Sequence, residues 1–181
     1  MIYVLLADGF EELEALTPVD MLRRYGTEVK TAAIDNTDVC GAHSITVKAD
    51  MNIRDIDKTT IDGIVLPGGM PGTLNLQKDK NVNELIDYCN ENKKLIAAIC
   101  AAPMILGEKG LLSGKSAVCF PGFEENLKGA DIGDGSTAVC ENYITSKGAG
   151  TAYEFGAEII DYISGIKGEG KKIMVQMQCK I

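Results

Sequence analysis

Lys94-Leu95-Ile96-Ala97-Ala98-Ile99-Cys100-Ala101-Ala102-Pro103 is the stretch on which the reading of the fold turns. Leu95 to Ile99 is an unbroken apolar run of strand length, the pattern of a strand covered on both faces. Pro103 to Leu111 has helical character, with a start near Ala101; proline suits a first helical turn because its missing N–H has no partner to lose there. A buried strand that becomes a helix within a few residues is half of a βα unit, and Cys100 stands at the turn. This resembles a nucleophile elbow, which holds a reactive side chain on a sharp strand-to-helix turn. Ala97, Ala98, Ala101 and Ala102 are small enough to let such a turn close.

Outward from this unit the alternation continues. Tyr3–Leu6, Glu28–Ile34, Asp62–Leu66 and Ser116–Phe120 read as strands, with a shorter one at Ser44–Val47. Glu11–Tyr25 reads as helical on the recurrence of Leu13, Leu16, Val19 and Leu22, which would face the core. Thr17-Pro18 interrupts it, as a cap and first position would, and divides it into a short turn and a longer helix. Asn81–Asn92 and Gly150–Ile163 are further amphipathic helices. Gly129–Ser146 holds several short β pieces. The tail from Gly165 to Ile181 stays open: Ile173, Val175 and Met177 alternate like a strand, whereas Lys171–Gln178 also fits a helix. Short apolar strands alternating with helices predict an α/β fold, one domain over residues 1–181, with a mostly parallel sheet and helices on both faces.

Composition narrows the function. The 181 residues carry 26 Asp+Glu against 18 Lys+Arg, a net charge of −8, which opposes binding to nucleic-acid phosphates. No apolar run is long enough for a membrane span. Met1 to Asp8 lacks the basic start of a signal peptide, so the expectation is a cytoplasmic protein. The six cysteines form no C-x-x-C pair and are read as free thiols. With a single His, no metal site and no cofactor are expected.

Three tight turns follow strands: Asp8-Gly9, Pro67-Gly68-Gly69 and Ile99-Cys100-Ala101. In open α/β sheets the carboxyl ends of the strands form the ligand crevice, so these loops should converge. At the start of a helix, free N–H groups and the dipole lower a thiol's pKa, which makes Cys100 the candidate nucleophile; a buried core thiol fits the same residues. Glycines at 68 and 69 bring bare N–H groups to a ligand and can form an oxyanion hole, or simply turn the chain. Glu11 and Glu12 read as a solvated, acid-favouring helix start. Glu14, between Leu13 and Leu16, is the better candidate for an acid or base in the crevice. His43, in Gly41-Ala42-His43-Ser44, is the only imidazole that a Cys–His pair could use, or an exposed loop residue. Cys40, Cys89, Cys119, Cys140 and Cys179 read as structural.

In order along the chain, Ala7-Asp8-Gly9-Phe10-Glu11-Glu12-Leu13-Glu14, Pro18-Val19-Asp20, Leu66-Pro67-Gly68-Gly69, Ala97-Ala98-Ile99-Cys100-Ala101-Ala102-Pro103 and Thr145-Ser146-Lys147-Gly148-Ala149-Gly150-Thr151 resemble the ThiJ/PfpI superfamily in its DJ-one-like branch. The resemblance spans roughly Met1 to Ile166. It implies a flavodoxin-like three-layer sandwich and a homodimer. It implies that Cys100 is the reactive cysteine, that Glu14 is its hydrogen-bonding glutamate, and that amides at Gly68, Gly69 and Ala101 are oxyanion donors. One departure matters: where many members place a His after the next strand, this chain has Phe120, followed by Pro121. Phe120, Pro121 and His43 are therefore the pocket candidates, and a Cys–His–acid hydrolase is disfavoured.

The resemblance implies a cysteine-dependent glyoxalase or deglycase acting on methylglyoxal, a small reactive aldehyde, or on glycated proteins and amino acids. The alternative is an oxidative-stress sensor or chaperone whose Cys100 oxidises to sulfinate. A cysteine peptidase or amidase ranks last. No membrane and no specific nucleic acid is an expected partner.

Overall fold

The computed structural model describes residues 1–180. In chain order the elements are β1 (Ile2–Leu6), α1 (Glu12–Tyr25), β2 (Val29–Ala33), β3 (Asp38–Cys40), β4 (Thr46–Lys48), β5 (Met51–Asn52), β6 (Gly63–Leu66), α2 (Gly72–Lys78), α3 (Lys80–Glu91), β7 (Leu95–Ile99), α4 (Pro103–Glu108), β8 (Ser116–Ala117), β9 (Asp131–Ile132), β10 (Thr137–Cys140), β11 (Tyr143–Ser146), α5 (Ala152–Ser164) and α6 (Glu169–Gln176). The central sheet has seven strands in the order β10-β11-β7-β6-β1-β2-β5. Every pairing in it is parallel except β10 with β11.

Alternation along the strands sends side chains to two cores. Tyr3, Leu5, Ile96 and Ala98 meet Leu76, Val82, Ile86 and Leu106 from α2, α3 and α4. Ile2, Val4, Leu6, Ala97 and Ile99 meet Val19, Leu22, Phe155, Ile159 and Ile173 from α1, α5 and α6. The expected flavodoxin-like three-layer sandwich with a mostly parallel sheet is thus present. It places the carboxyl ends of β1, β6 and β7, and the loops that follow them, side by side.

Four local expectations are corrected. First, α1 is continuous, with Pro18 inside it and Thr17 capping nothing. Pro18 withholds one helical N–H from the Glu14 carbonyl, but burying Pro18, Val19, Met21 and Leu22 outweighs that loss. Second, Leu13 is 59% exposed, since a strict three-residue recurrence drifts around a helix of 3.6 residues per turn. Third, the strand expected over Ser116–Phe120 stops at Ala117. The Val118 N–H goes to Thr145 Oγ1 (2.9 Å) and that of Phe120 to the Cys100 carbonyl (2.8 Å), so neither joins a ladder. The strand expected at Ser44–Val47 likewise begins later, at Thr46, because Ser44 takes a left-handed turn conformation (φ 63°).

The tail, open between strand and helix in the sequence, is helical over Glu169–Gln176. Both oxygens of Asp161 in α5 accept main-chain N–H groups at its start, from Gly168 at 2.6 Å and Gly170 at 2.7 Å. Ile173 and Met174 then pack inward while Val175 faces out.

Candidate active site

Cys100 directly follows β7 and adopts φ 65°, a left-handed conformation that costs a non-glycine residue about 1–3 kcal/mol. Its neighbours hold it there. Its N–H donates to the Ser146 carbonyl of β11 at 2.9 Å, and its carbonyl accepts the Phe120 N–H at 2.8 Å. The elbow is therefore clamped on both sides.

Two glycines let the second loop come up against it. A Cβ on Gly68 would stand 2.6 Å from Cys100 Cβ and 2.6 Å from Glu14 Oε2, so only hydrogen fits. Gly69 has φ 87°, and a Cβ there would meet the Gly9 carbonyl oxygen at 2.6 Å. The three loops after β1, β6 and β7 converge, as expected. The amides of Gly69 and Ala101 face the Cys100 sulfur, whereas the Gly68 N–H is spent on Glu14.

Glu14 projects from the first turn of α1 and is 1% exposed. Its Oε2 accepts the Gly68 N–H at 2.9 Å and its carboxyl hydrogen-bonds with the Cys100 thiol. Oε1 points towards Gly148, and the Ala149 amide faces the carboxyl. Burial pushes the Glu14 carboxyl up to about 7, against the hydrogen bonds from Cys100 and Gly68 that favour its charged form.

The thiol corrects an expectation. Burial, then the charge and hydrogen bond of Glu14, push Cys100 up to about 12, although the Ala101 and Gly69 amides pull the other way. The helix-start argument fails because α4 begins only at Pro103 and is six residues long. Two acids in contact in a shielded site cannot both ionise freely. The two therefore titrate as a coupled pair.

The pocket candidates separate. The Phe120 ring is half-exposed and lies over Gly148, 3.3 Å from where a Cβ would sit, so it flanks the Glu14 carboxyl. Pro121 is exposed on the same loop. His43 is engaged elsewhere: its Nδ1 lies 2.9 Å from Glu12 Oε2 and 3.4 Å from Glu11 Oε2, and its N–H donates to Glu12 Oε1 at 2.9 Å. Glu12 is not solvated, as the sequence suggested, but buried. Sequence reasoning missed that role because its partner lies 31 residues away. It also missed Gly148 and Ala149 beside Glu14, although both stand in one of the segments that carry the resemblance.

A large open groove of about 780 Å³, bordered by Asn90, Lys93, Lys115 and Glu141, lies at the opposite, amino-terminal ends of β7 and β11. Its size does not make it the site; no candidate residue lines it. Among the described residues no helix is long and apolar enough to cross a membrane.

A three-layer α/β sandwich with a clamped cysteine elbow facing a buried glutamate defines the class. The chain belongs to the DJ-1/PfpI family, whose model matches residues 1–162, and to its DJ-1-like branch. It is 36% identical over 165 residues to Protein DJ-1 homolog B of Arabidopsis thaliana; this covers 88% of the chain but only 37% of that longer protein. It is 30% identical over 161 residues to Deglycase TK1284 of Thermococcus kodakarensis, covering 88% of the chain and 96% of that protein. The structure of oxidized DJ-1 from Toxoplasma gondii superposes with a TM-score of 0.94 at 35% identity, covering 99% of this chain and 98% of that one.

Proposed function

We propose that the protein is a cysteine-dependent glyoxalase or deglycase acting on methylglyoxal or on early glycation adducts of proteins and amino acids. The observation that carries this reading is the contact of the Glu14 carboxyl with the Cys100 thiol at an elbow whose sulfur faces the Gly69 and Ala101 amides. A relative named as a deglycase supports the substrate class.

With methylglyoxal, the Cys100 proton passes to the Glu14 carboxylate as sulfur attacks the aldehyde carbon. The C–S bond forms, the carbonyl π pair moves to oxygen, and the two amides stabilise that oxyanion. Glu14 returns the proton, giving a neutral hemithioacetal. As carboxylate again, it removes the proton from the former aldehyde carbon, forming an enediolate, and delivers it to the adjacent carbon while the hydroxyl proton on the former aldehyde carbon passes to the enediolate oxygen. The product is a lactoyl thioester, which water hydrolyses to lactate, restoring the thiol. Phe120 supplies no proton, so Glu14 is the sole acid–base group of this scheme. A homodimer belongs to the same proposal, supported by the exposed apolar side chains of Leu13 and Ile45.

The test is methylglyoxal consumption by Cys100→Ala and Glu14→Gln. Turnover should vanish in the first and fall about 10²–10⁴-fold in the second; an unchanged rate for Cys100→Ala overturns the mechanism. A second reading, oxidation of Cys100 to sulfinate in a stress sensor, draws on the oxidized state of the related Toxoplasma gondii structure. It predicts that mild peroxide adds two oxygens at Cys100 before the other five cysteines, as read by peptide mass spectrometry; even oxidation of all six opposes it.

A further inference from the structure

With one His in the chain, sequence alone points to no metal site. Folding brings two carboxylates to that His from the start of α1. His43 Nδ1, Glu12 Oε2 and Glu11 Oε2 all lie within 4.8 Å of one another, with the imidazole nitrogen 2.9 Å from the first oxygen and 3.4 Å from the second. Neighbouring donors about 2.0–2.2 Å from one ion stand roughly 3–3.5 Å apart, so the imidazole nitrogen is near ligand spacing from both carboxylate oxygens.

We propose that His43, Glu12 and Glu11 form a binding site for a divalent first-row transition ion, with Zn²⁺ the ion it best fits. Three features separate this cluster from an ordinary acidic surface. An imidazole joins two carboxylates, a donor set suited to zinc and its neighbours rather than to Ca²⁺ or Mg²⁺. The Glu12 side chain is only 7% exposed yet turns its carboxylate outward to the imidazole. The ligands are also held: the second Glu12 oxygen fixes the His43 main chain, and the Glu11 N–H is tied to the Gly68 carbonyl at 3.0 Å. A protonated His43 cancels one of the two carboxylate charges, whereas a divalent ion cancels both. The His43 side chain is 65% exposed in the single chain. The inference stands apart from the reading of Cys100, whose thiol takes no part in it.

The single histidine makes the test direct. The reduced full-length chain is titrated with Zn²⁺ while the imidazole ¹⁵N and ¹H signals are followed by NMR. They should shift and saturate at one equivalent in wild type and in Cys100→Ala. Glu11→Gln is the deciding variant, since the Glu11 side chain supports no main-chain group; it should weaken the shift at least about tenfold, the scale on which even outer-shell partners alter metal affinity. Glu12→Gln should weaken it further. Unmoved imidazole signals mean that zinc sits on thiols or nowhere, and an equal shift in Glu11→Gln means that His43 acts without this cluster. Either result overturns the site.

Discussion

Replacing Gly68 by alanine tests whether the thiol and the carboxyl are packed as tightly as the geometry shows. The added Cβ would stand 2.6 Å from Cys100 Cβ, 2.6 Å from Glu14 Oε2 and 3.0 Å from the Ile99 carbonyl oxygen. Two of these neighbours are a clamped elbow and a strand carbonyl, so little can give way. Gly68 is not in the left-handed region, so the penalty is steric and not one of backbone preference. Overpacking of this kind costs about 1–3 kcal/mol. For a chain of 181 residues that lowers Tm by roughly 2–12 °C. The readouts are thermal unfolding by circular dichroism and the alkylation rate of Cys100, followed by peptide mass spectrometry. Melting should fall and the Cys100 rate should change together, because Glu14 must move off the sulfur. Part of the destabilisation should disappear in a Glu14→Ala background, a coupling of about 0.5–3 kcal/mol for residues in contact. Gly110→Ala is the control: Gly110 has φ 74° with nothing within 4 Å of a new Cβ, so it should lose some stability and leave Cys100 chemistry unchanged. If Gly68→Ala keeps the wild-type Tm and the wild-type Cys100 rate, the close contact among Gly68, Cys100 and Glu14 is refuted.

Two further predictions concern the frame. Asp50 is partly desolvated, which raises its pKa, but hydrogen bonds from the Thr31 N–H (2.8 Å) and hydroxyl (3.0 Å) and the Arg23 guanidinium (2.9 Å) outweigh this and hold it below the usual carboxylate value. A depressed folded pKa contributes stability above the unfolded value, about 4, and loses it as pH falls through the folded one; the stability gap between wild type and Asp50→Asn should therefore be full at pH 6 and narrow below about pH 4, as read by urea unfolding. Asp161→Ala removes both acceptors at the start of α6, which should cost about 0.5–2 kcal/mol and speed amide exchange in residues 169–176 ahead of the sheet; uniform protection in the variant would refute the cap.

The parts of the structure legible in the sequence were those that depend on near neighbours. β1, β6 and β7 announce themselves because a strand covered on both faces must be apolar at every position. Cys100 stands out because a buried strand leads straight into a proline-started helix. What stayed hidden depends on residues far apart in the chain. The helical tail becomes decisive only when Asp161 caps it. Glu12 looks like a solvated acid until the loop carrying His43 covers it. Pro18 looks like a helix start because its cost is local, whereas the packing of Val19, Met21 and Leu22 that outweighs it is not. The thiol was misjudged for the same reason: the favourable amides are adjacent in sequence, and the burial and Glu14 charge that outweigh them come from other elements.

The clamp on the elbow also accounts for what can vary around it. A non-glycine residue at φ 65° does not stay there for local reasons, and a strand followed by a proline-started helix does not by itself require it. Here the Ser146 carbonyl holds the Cys100 N–H and the Phe120 N–H holds the Cys100 carbonyl. Both contacts use main-chain atoms. Position 120 is thus tied to the elbow through its amide, whatever side chain it carries, and the side chain is released from that structural duty. This is how phenylalanine can stand at a position where the resemblance places a histidine without disturbing the geometry of Cys100. The exchange alters proton supply and shape at the mouth of the site while the cysteine, the carboxyl of Glu14 and the facing amides stay in register. In the proposed mechanism, chemistry at Cys100 draws its proton transfers from Glu14, which makes the kinetic defect of Glu14→Gln its sharpest measure.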